Sequence, residues 1–144
     1  MKIKNYVKKA AIFINEAIID LLNGCYLKAV SALWFSIESL LRCITWFYSG
    51  KLYESTRKLI HEFGRSIIKK YLKHYTWLPS MLNQLHVLRI NVDHKHVVYN
   101  KDDVKKILFI YFKVMDAILK ISKSIGFDVS YVETNYNKLR QIKM

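Results

Sequence analysis

Residues 17–43 read AIIDLLNGCYLKAVSALWFSIESLLRC, and this stretch predicts two helices joined by a tight turn. Apolar side chains recur every three or four residues on both sides of the turn, which is the spacing of one helix face. Gly24 stands at the turn, and glycine readily adopts the left-handed conformation that ends a helix. Because so few residues separate the two helices, the second must run back along the first. The stretch therefore predicts an antiparallel helical hairpin, with helices over about residues 3–22 and 25–48.

Three more long helices are predicted downstream, over about residues 55–72, 79–98 and 101–125. Pro79 is expected at the first helical position of the fourth helix, where its missing N–H has no consequence. Asn100 followed by Asp103 resembles a capping box at the start of the fifth helix. Residues 129–139 carry four apolar side chains at helical spacing, which predicts a short sixth helix.

The chain contains few residues that interrupt helices. It has four glycines and one proline among 144 residues, and 52% of its residues are hydrophobic. This composition is unlike that of a disordered chain or of a turn-rich β fold. The predicted fold class is all-α, an antiparallel up-and-down helical bundle of four to five main helices with a short C-terminal extra helix. Residues 1–126 are expected to form the bundle, and residues 127–144 a tail or short helix that packs on it.

The charge balance is strongly basic, since 24 Lys and Arg against 11 Asp and Glu give a net charge of +13. A surplus of this size favours a phosphate-bearing partner such as RNA, DNA or a nucleotide. The alternative is a lysine-rich surface that keeps the protein dissolved. The basic residues are scattered along the chain, so they do not predict a separate binding tail.

The spacing of the two cysteines and the charges inside the longest apolar segment indicate a cytoplasmic protein that does not enter a membrane. Cys25 and Cys43 lie about 27 Å apart along one predicted helix, too far for a disulfide bond between them. Residues 26–48 have the length of a transmembrane helix, but Lys28 and Glu38 lie within them, and charges are costly in a bilayer. We therefore expect the reducing cytoplasm and no membrane partner.

Most sequence signatures of a chemical site are absent. The chain has no glycine-rich phosphate loop, no Cys-x-x-Cys pair and no His-Glu-x-x-His helix. His94 and His96 form a poor metal-binding pair on a helix, because side chains two positions apart point about 200° away from each other. No metal and no cofactor is predicted.

The remaining candidate is residues 86–99, HVLRINVDHKHVVY. Four residues separate Arg89 from His94, and six separate it from His96. Taken alone, this spacing is unspecific. The alternative interpretation is a solvated basic helix end, in which Arg89 pairs with Asp93 four residues later.

The order of these features resembles the HEPN family, the higher-eukaryote and prokaryote nucleotide-binding domains. The hairpin over residues 17–43 is similar to the opening helices of the family, with Gly24 in a Gly-x-Tyr turn and Glu38 in the second helix. Residues 97–122, VVYNKDDVKKILFIYFKVMDAILKIS, are similar to the closing helix. The arginine–histidine spacing R-x4–6-H lies between them, where the family places it. The resemblance covers about residues 6–124.

This resemblance implies a bundle that dimerises, with the motifs of two protomers facing each other across a cleft. It also implies metal-independent cleavage of RNA, in which the ribose 2′-OH attacks the adjacent phosphate. Arg89 would stabilise the phosphorane charge, and His94 or His96 would act as general base or acid. Asn91 would hold a phosphate oxygen or orient the imidazole. The candidate substrate-binding residues are Asn91, Lys95 and Tyr99.

Two observations favour different histidines. On a straight helix, Arg89 and His96 lie within about 20° of the same face, whereas His94 lies about 140° away. The commonest spacing in the family favours His94, which is also three residues from Asn91. Both histidines stay candidates.

The resulting hypothesis is a HEPN-type domain that acts on RNA or nucleotides. As an enzyme it would be an endoribonuclease, the toxin of a toxin–antitoxin pair with a minimal nucleotidyltransferase partner. One departure from the family pattern favours an alternative, since Ile90 follows Arg89 where active members commonly carry a polar residue. The alternatives are a non-catalytic nucleotide- or RNA-binding module and a helical dimerisation module.

Overall fold

The computed structural model describes residues 2–94 and 97–144, apart from the side chains of Lys2 and His94. All regular secondary structure in these ranges is helical, which confirms the predicted all-α bundle. In chain order the helices are α1 (Lys2–Leu22), α2 (Tyr26–Ser49), α3 (Thr56–Glu62), α4 (Lys69–Tyr71), α5 (Leu78–His94), α6 (Lys101–Ser124) and α7 (Ser130–Arg140). A π-helical turn (Phe63–Ile68) joins α3 to α4, and a 3₁₀ turn (Lys73–Tyr75) follows α4.

α2 is the central helix of the bundle and packs against α1, α5 and α6. Its apolar residues are spread around the helix, which is the pattern of a helix buried on several sides. Fully buried side chains on α2 include Leu33, Ile37, Leu40, Leu41 and Ile44. Within the described ranges, no helix combines the length and apolar character needed to cross a membrane. Because α2 is enclosed by other helices, its polar side chains need partners within the protein.

The turn between α1 and α2 confirms the predicted hairpin. Gly24 has a φ of +72°, in the left-handed region that L side chains avoid. The backbone N–H of Cys25 donates to the carbonyl of Asp20 at 2.8 Å, which closes the last turn of α1. The chain therefore reverses within three residues, as the sequence predicts.

The region predicted as one helix over residues 55–72 is divided by the π-helical turn. A π-turn is closed by i→i+5 hydrogen bonds, so it takes more residues than an α-helical turn. It coincides with a close approach to α5, because a Cβ on Gly64 would lie 3.2 Å from the Cβ of Pro79. We predicted Pro79 at the first position of α5. The structure places it at the second position, because the helix begins at Leu78.

The prediction that the fourth helix reaches residue 98 is wrong. In the described residues α5 extends to His94, and residues 97–100 are not helical. The reason is the cap of α6, which confirms the predicted capping box. The Asn100 side chain accepts a hydrogen bond from the Asp103 N–H at 2.8 Å, and the Asp103 carboxylate accepts one from the Asn100 N–H at 3.0 Å. Because the backbone of Asn100 is extended to form this cap, the preceding helix has to end earlier.

The predicted short sixth helix is confirmed as α7. Its buried side chains are Val132, Tyr136 and Leu139. The amide of Asn135 donates to the carbonyl of Ala11 in α1 at 2.9 Å, and the hydroxyl of Tyr136 donates to the carboxylate of Asp116 in α6 at 2.7 Å. α7 therefore contacts both α1 and α6.

Candidate functional site

Arg89 lies near the end of α5, over the aromatic ring of Phe35 from α2. The guanidinium carbon is 4.9 Å from the centroid of the Phe35 ring, and Nη2 is 3.1 Å from Oδ2 of Asp93. The side chain of Arg89 is 27% exposed and that of Asp93 is 45% exposed. The Nε atom of Arg89 is buried and has no hydrogen-bond partner among the described residues. The arginine is thus supported by an aromatic ring and paired with a carboxylate that reaches solvent.

The contact between Arg89 and Asp93 is the i,i+4 ion pair that the sequence offers as an alternative to a phosphate site. An ion pair this close to solvent contributes about 0–1 kcal/mol to stability, so a more highly charged anion can displace Asp93 at little cost. The contact with Phe35 limits the motion of the guanidinium without using its N–H groups. The arrangement is therefore able to bind a phosphate oxygen once Asp93 moves aside.

Tyr99 connects the segment before α6 to α5. Its hydroxyl donates to the carbonyl of Leu88 at 2.8 Å, and the residue is only 9% exposed. Burial raises the pKa of the Tyr99 hydroxyl, and the polar side chain of the nearby Asn91 partly offsets this rise. The structure thus brings two of the predicted substrate-binding residues, Asn91 and Tyr99, near each other, and the hydrogen bond from Tyr99 to Leu88 anchors the segment. Direct contact of either residue with substrate stays a prediction.

The predicted catalytic histidines lie next to the end of α5, where the described residues stop. The structure describes the backbone of His94, the last residue of α5, but not its side chain. Lys95 and His96 lie outside the described residues. The roles assigned to these three residues stay predictions. In the part of the chain that the structure describes, no group of three or more His, Cys, Asp or Glu side chains is arranged to hold a metal ion.

Glu38 is a buried carboxylate on α2 that is fully engaged in hydrogen bonds. Its oxygens accept from the guanidinium of Arg42, from the indole N–H of Trp34 at 2.9 Å and from the hydroxyl of Thr56 at 2.7 Å. Arg42 also donates to two backbone carbonyls in the chain between α2 and α3. Glu38 and Arg42 thus form an ion pair at the i,i+4 spacing of one helix face. This carboxylate joins α2 to the beginning of α3, which is a structural role.

A second basic site, which the sequence analysis did not identify, lies between α3 with its π-turn and α5. It is a groove of about 660 Å³, called here the cationic groove. Its main polar lining residues are Arg57, His61, Arg65, Lys69, Asn83 and His86. No Asp or Glu is among the described residues that line it. Four of these residues, from Arg57 to Lys69, recur at intervals of four. This spacing is the one signal in the sequence that could have pointed to the groove.

His86 lines the cationic groove and also contacts the core. Its imidazole packs against the indole of Trp34, and burial lowers the pKa of His86 below its usual value. The carboxylate of Glu38 opposes this effect, whereas Arg89 and Arg57 add to it. The imidazole is therefore neutral at physiological pH and offers one N–H donor to the groove.

Comparison with known proteins identifies the family of this chain. The family model of the HEPN domain matches residues 3–122. This span includes almost all of α1 and α6, the helices between them, and Arg89 with both candidate histidines. No curated protein and no solved structure matches the chain significantly. Since the family model matches well over half of the chain, the protein belongs to the HEPN family.

Proposed function

We propose that this HEPN domain is an endoribonuclease that cleaves RNA without a metal ion. HEPN domains are generally associated with nucleotides and RNA, and the net charge of +13 suits a polyanionic substrate. The observation that carries the proposal is the position of Arg89, over the ring of Phe35 and paired with the half-exposed Asp93. A guanidinium held in this way is positioned before the substrate arrives, which is what stabilisation of a transition state requires.

The reaction is a transesterification within the RNA strand. A histidine, His94 or His96, removes the proton of a ribose 2′-OH, and the 2′-oxygen forms a bond to the adjacent phosphorus. The bond from phosphorus to the 5′-oxygen of the next nucleotide breaks, and this oxygen takes a proton from a histidine that acts as acid. Arg89 stabilises the extra negative charge of the phosphorane. The products are a 2′,3′-cyclic phosphate and a free 5′-hydroxyl.

A homodimer is part of the proposal. Two-fold pairing would place the Arg89 and histidine groups of two protomers across one cleft and would concentrate positive charge there. Light scattering at micromolar concentration measures the mass directly. A mass of one protomer at every concentration would contradict a composite site.

Arg140 provides a matched control for Arg89. Its guanidinium carbon is 5.4 Å from the centroid of the Phe112 ring, and its Nη1 is 2.9 Å from Oδ1 of Asp116. Arg140 therefore makes the same two kinds of contact as Arg89, on α7. Replacing either arginine by alanine removes one charge, one ion pair and the contact with an aromatic ring, and Arg140→Ala also removes a contact with the ring of Tyr136.

The test compares RNA cleavage by Arg89→Ala, Arg140→Ala and the natural chain. We expect Arg89→Ala to lower the cleavage rate by about 10²–10³-fold, as loss of a charge-stabilising donor does, and Arg140→Ala to leave it unchanged. Cleavage should continue in EDTA and should leave 2′,3′-cyclic phosphate ends. The more damaging of His94→Ala and His96→Ala identifies the acid–base residue. Equal losses in the two arginine variants, or dependence on a metal ion, would contradict the proposal.

Ile90 favours a second function, the binding of RNA or nucleotides without cleavage. It follows Arg89 directly and lines the cationic groove, so no polar group stands at this position to assist the reaction. In that case the natural chain leaves RNA intact, and Arg89→Ala lowers affinity alone.

We also propose a cytoplasmic toxin–antitoxin pair in which a minimal nucleotidyltransferase holds the activity in check, as the family resemblance implies. Cys25 and Cys43 are both unpaired thiols, which suits a reducing compartment. Expression of the natural chain alone should arrest cell growth, expression of Arg89→Ala should not, and co-expression of such a nucleotidyltransferase should restore growth.

A further inference from the structure

One wall of the cationic groove carries a row of basic side chains at intervals of four residues, namely Arg57, His61, Arg65 and Lys69. On an α-helix, four residues exceed one turn by about 40°, so a row of this length would rotate by about 120°. All four side chains nevertheless line one groove. The π-turn (Phe63–Ile68) accounts for this, because one π-turn takes more than four residues and a step of four then falls short of a full turn. The π-turn therefore reverses the rotation and aligns the row.

α5 supplies the opposite wall of the groove, with Asn83 and His86. The Asn83 amide is a neutral donor, and the His86 imidazole is neutral because burial lowers its pKa. The described lining residues include no carboxylate. An anion in the groove would thus meet a row of basic side chains on one side and neutral N–H donors on the other.

We propose that the cationic groove binds the sugar–phosphate backbone of single-stranded RNA. The basic row extends over thirteen residues, roughly 15–18 Å of helix, which is long enough for several consecutive phosphates. A mononucleotide would occupy only part of this row. No Phe, Tyr or Trp is among the described lining residues, so the groove offers no large aromatic ring for base stacking. Binding therefore depends on phosphates and is largely independent of sequence.

The groove and the proposed cleavage site share α5. Val87 and Ile90 line the groove, while Arg89 lies over Phe35 on an adjacent face of the same helix. A strand that lies in the groove therefore passes beside the turn of α5 that carries Arg89. The inference takes its substrate class from the proposed function, but the binding site can be tested without any cleavage.

The test measures affinity for a fluorescent single-stranded 2′-O-methyl RNA, which lacks the attacking hydroxyl and cannot be cleaved by the proposed reaction. The groove variant is Arg57→Ala/Arg65→Ala/Lys69→Ala. The control is Lys105→Ala/Lys106→Ala/Lys138→Ala, which removes the same charge from exposed positions on α6 and α7.

The measurement is the dependence of log Kd on log salt concentration, with circular dichroism melts to establish that both variants are folded. We expect the groove variant to bind at least about tenfold more weakly than the control. The magnitude of its salt slope should be smaller by roughly 2, since three cations are removed and each phosphate contact to a single strand contributes about 0.7.

Three results would overturn the inference. The first is equal affinity and equal salt slope in the groove and control variants. The second is displacement of the RNA by AMP or inorganic phosphate at concentrations similar to that of the RNA, because the groove would then bind a single phosphate. The third is a lower mass in light scattering for the groove variant than for the control, because the groove would then be a contact between two copies of the chain.

The two proposals can fail separately. A natural chain that cleaves no RNA but still shows the expected difference in salt slope would contradict the endoribonuclease proposal and support RNA binding in the groove.

Discussion

The imidazole of His86 packs against the indole of Trp34, with ring centroids 5.2 Å apart and planes inclined by 35°. The N–H on the edge of the same indole donates to the buried carboxylate of Glu38 at 2.9 Å. Trp34 therefore connects the wall of the cationic groove to the polar network at the centre of the bundle. A change in the charge of His86 acts on the core as well as on the groove.

Acidification should destabilise the fold through His86. Burial lowers the pKa of His86 in the folded chain, so the unfolded chain takes up this proton at higher pH than the folded chain does. The free energy of unfolding should therefore fall as the pH drops below the unfolded value of 6.5. Denaturant unfolding at about pH 7.5 and about pH 5.5 measures the loss.

His86→Gln should remove part of this pH dependence. His74→Gln is the matched control, because His74 is exposed and lies in the 3₁₀ turn after α4. The carboxylate of Glu38 and the cations of Arg89 and Arg57 stay in place in both variants. An unchanged pH dependence in His86→Gln would show that other groups cause the loss.

The two arginines on α2 and α5 should differ in their effect on stability. Arg42→Ala leaves the buried Glu38 without its cation and should lower the free energy of unfolding by about 3–5 kcal/mol. Arg89→Ala removes an ion pair near solvent and a contact with Phe35, each worth up to about 1 kcal/mol, and should cost no more than about 2 kcal/mol in total. Urea unfolding of both variants decides between the two roles. If Arg89→Ala is as destabilising as Arg42→Ala, Arg89 is a structural residue.

Tyr99→Phe should loosen the segment before α6. The variant loses the hydrogen bond to the Leu88 carbonyl, at a cost of about 1 kcal/mol. Amide hydrogen exchange should become faster in residues 97–100. Tyr131→Phe serves as control, since Tyr131 is 83% exposed, and it should change neither quantity.

Gly64→Ala tests the contact between the π-turn and α5. Alanine favours helical backbone over glycine by up to about 1 kcal/mol, but its Cβ would lie 3.2 Å from the Cβ of Pro79. Overpacking of this kind costs about 1–3 kcal/mol, so we expect the variant to be neutral or less stable and to bind RNA more weakly. Ser66→Ala, in the same π-turn, is the control. A clear rise in melting temperature for Gly64→Ala would mean that the two segments separate without cost.

The parts of the fold that depend on neighbouring residues could be predicted from the sequence. The turn at Gly24, the cap formed by Asn100 and Asp103 and the pair of Glu38 with Arg42 each involve residues within a few positions of one another. Where two local signals competed, the prediction was wrong, because the cap at Asn100 ended α5 before residue 98. The partners of Arg89 were predicted only in part, since its contact with Phe35 joins two helices far apart in the chain.

The cationic groove could not be predicted in the same way. The spacing of Arg57, His61, Arg65 and Lys69 is visible in the sequence, but on a continuous α-helix it would spread the four side chains over about 120° of the helix surface. Their alignment depends on the π-turn, which accompanies the close approach of Gly64 to Pro79 from another helix. Neither residue carries a local signal for a π-turn.

The π-turn also lets the basic row tolerate a change in chain length. A π-turn holds one residue more than the α-helical turn that it replaces, so deleting Gly64 would allow α3 and α4 to join as one regular α-helix while the following side chains keep nearly their present directions. The four basic residues would then stand at i, i+4, i+7 and i+11, within about 60° of one another on the helix surface. Related chains can therefore present the same row at either spacing, so the spacing alone does not reveal whether this surface is present.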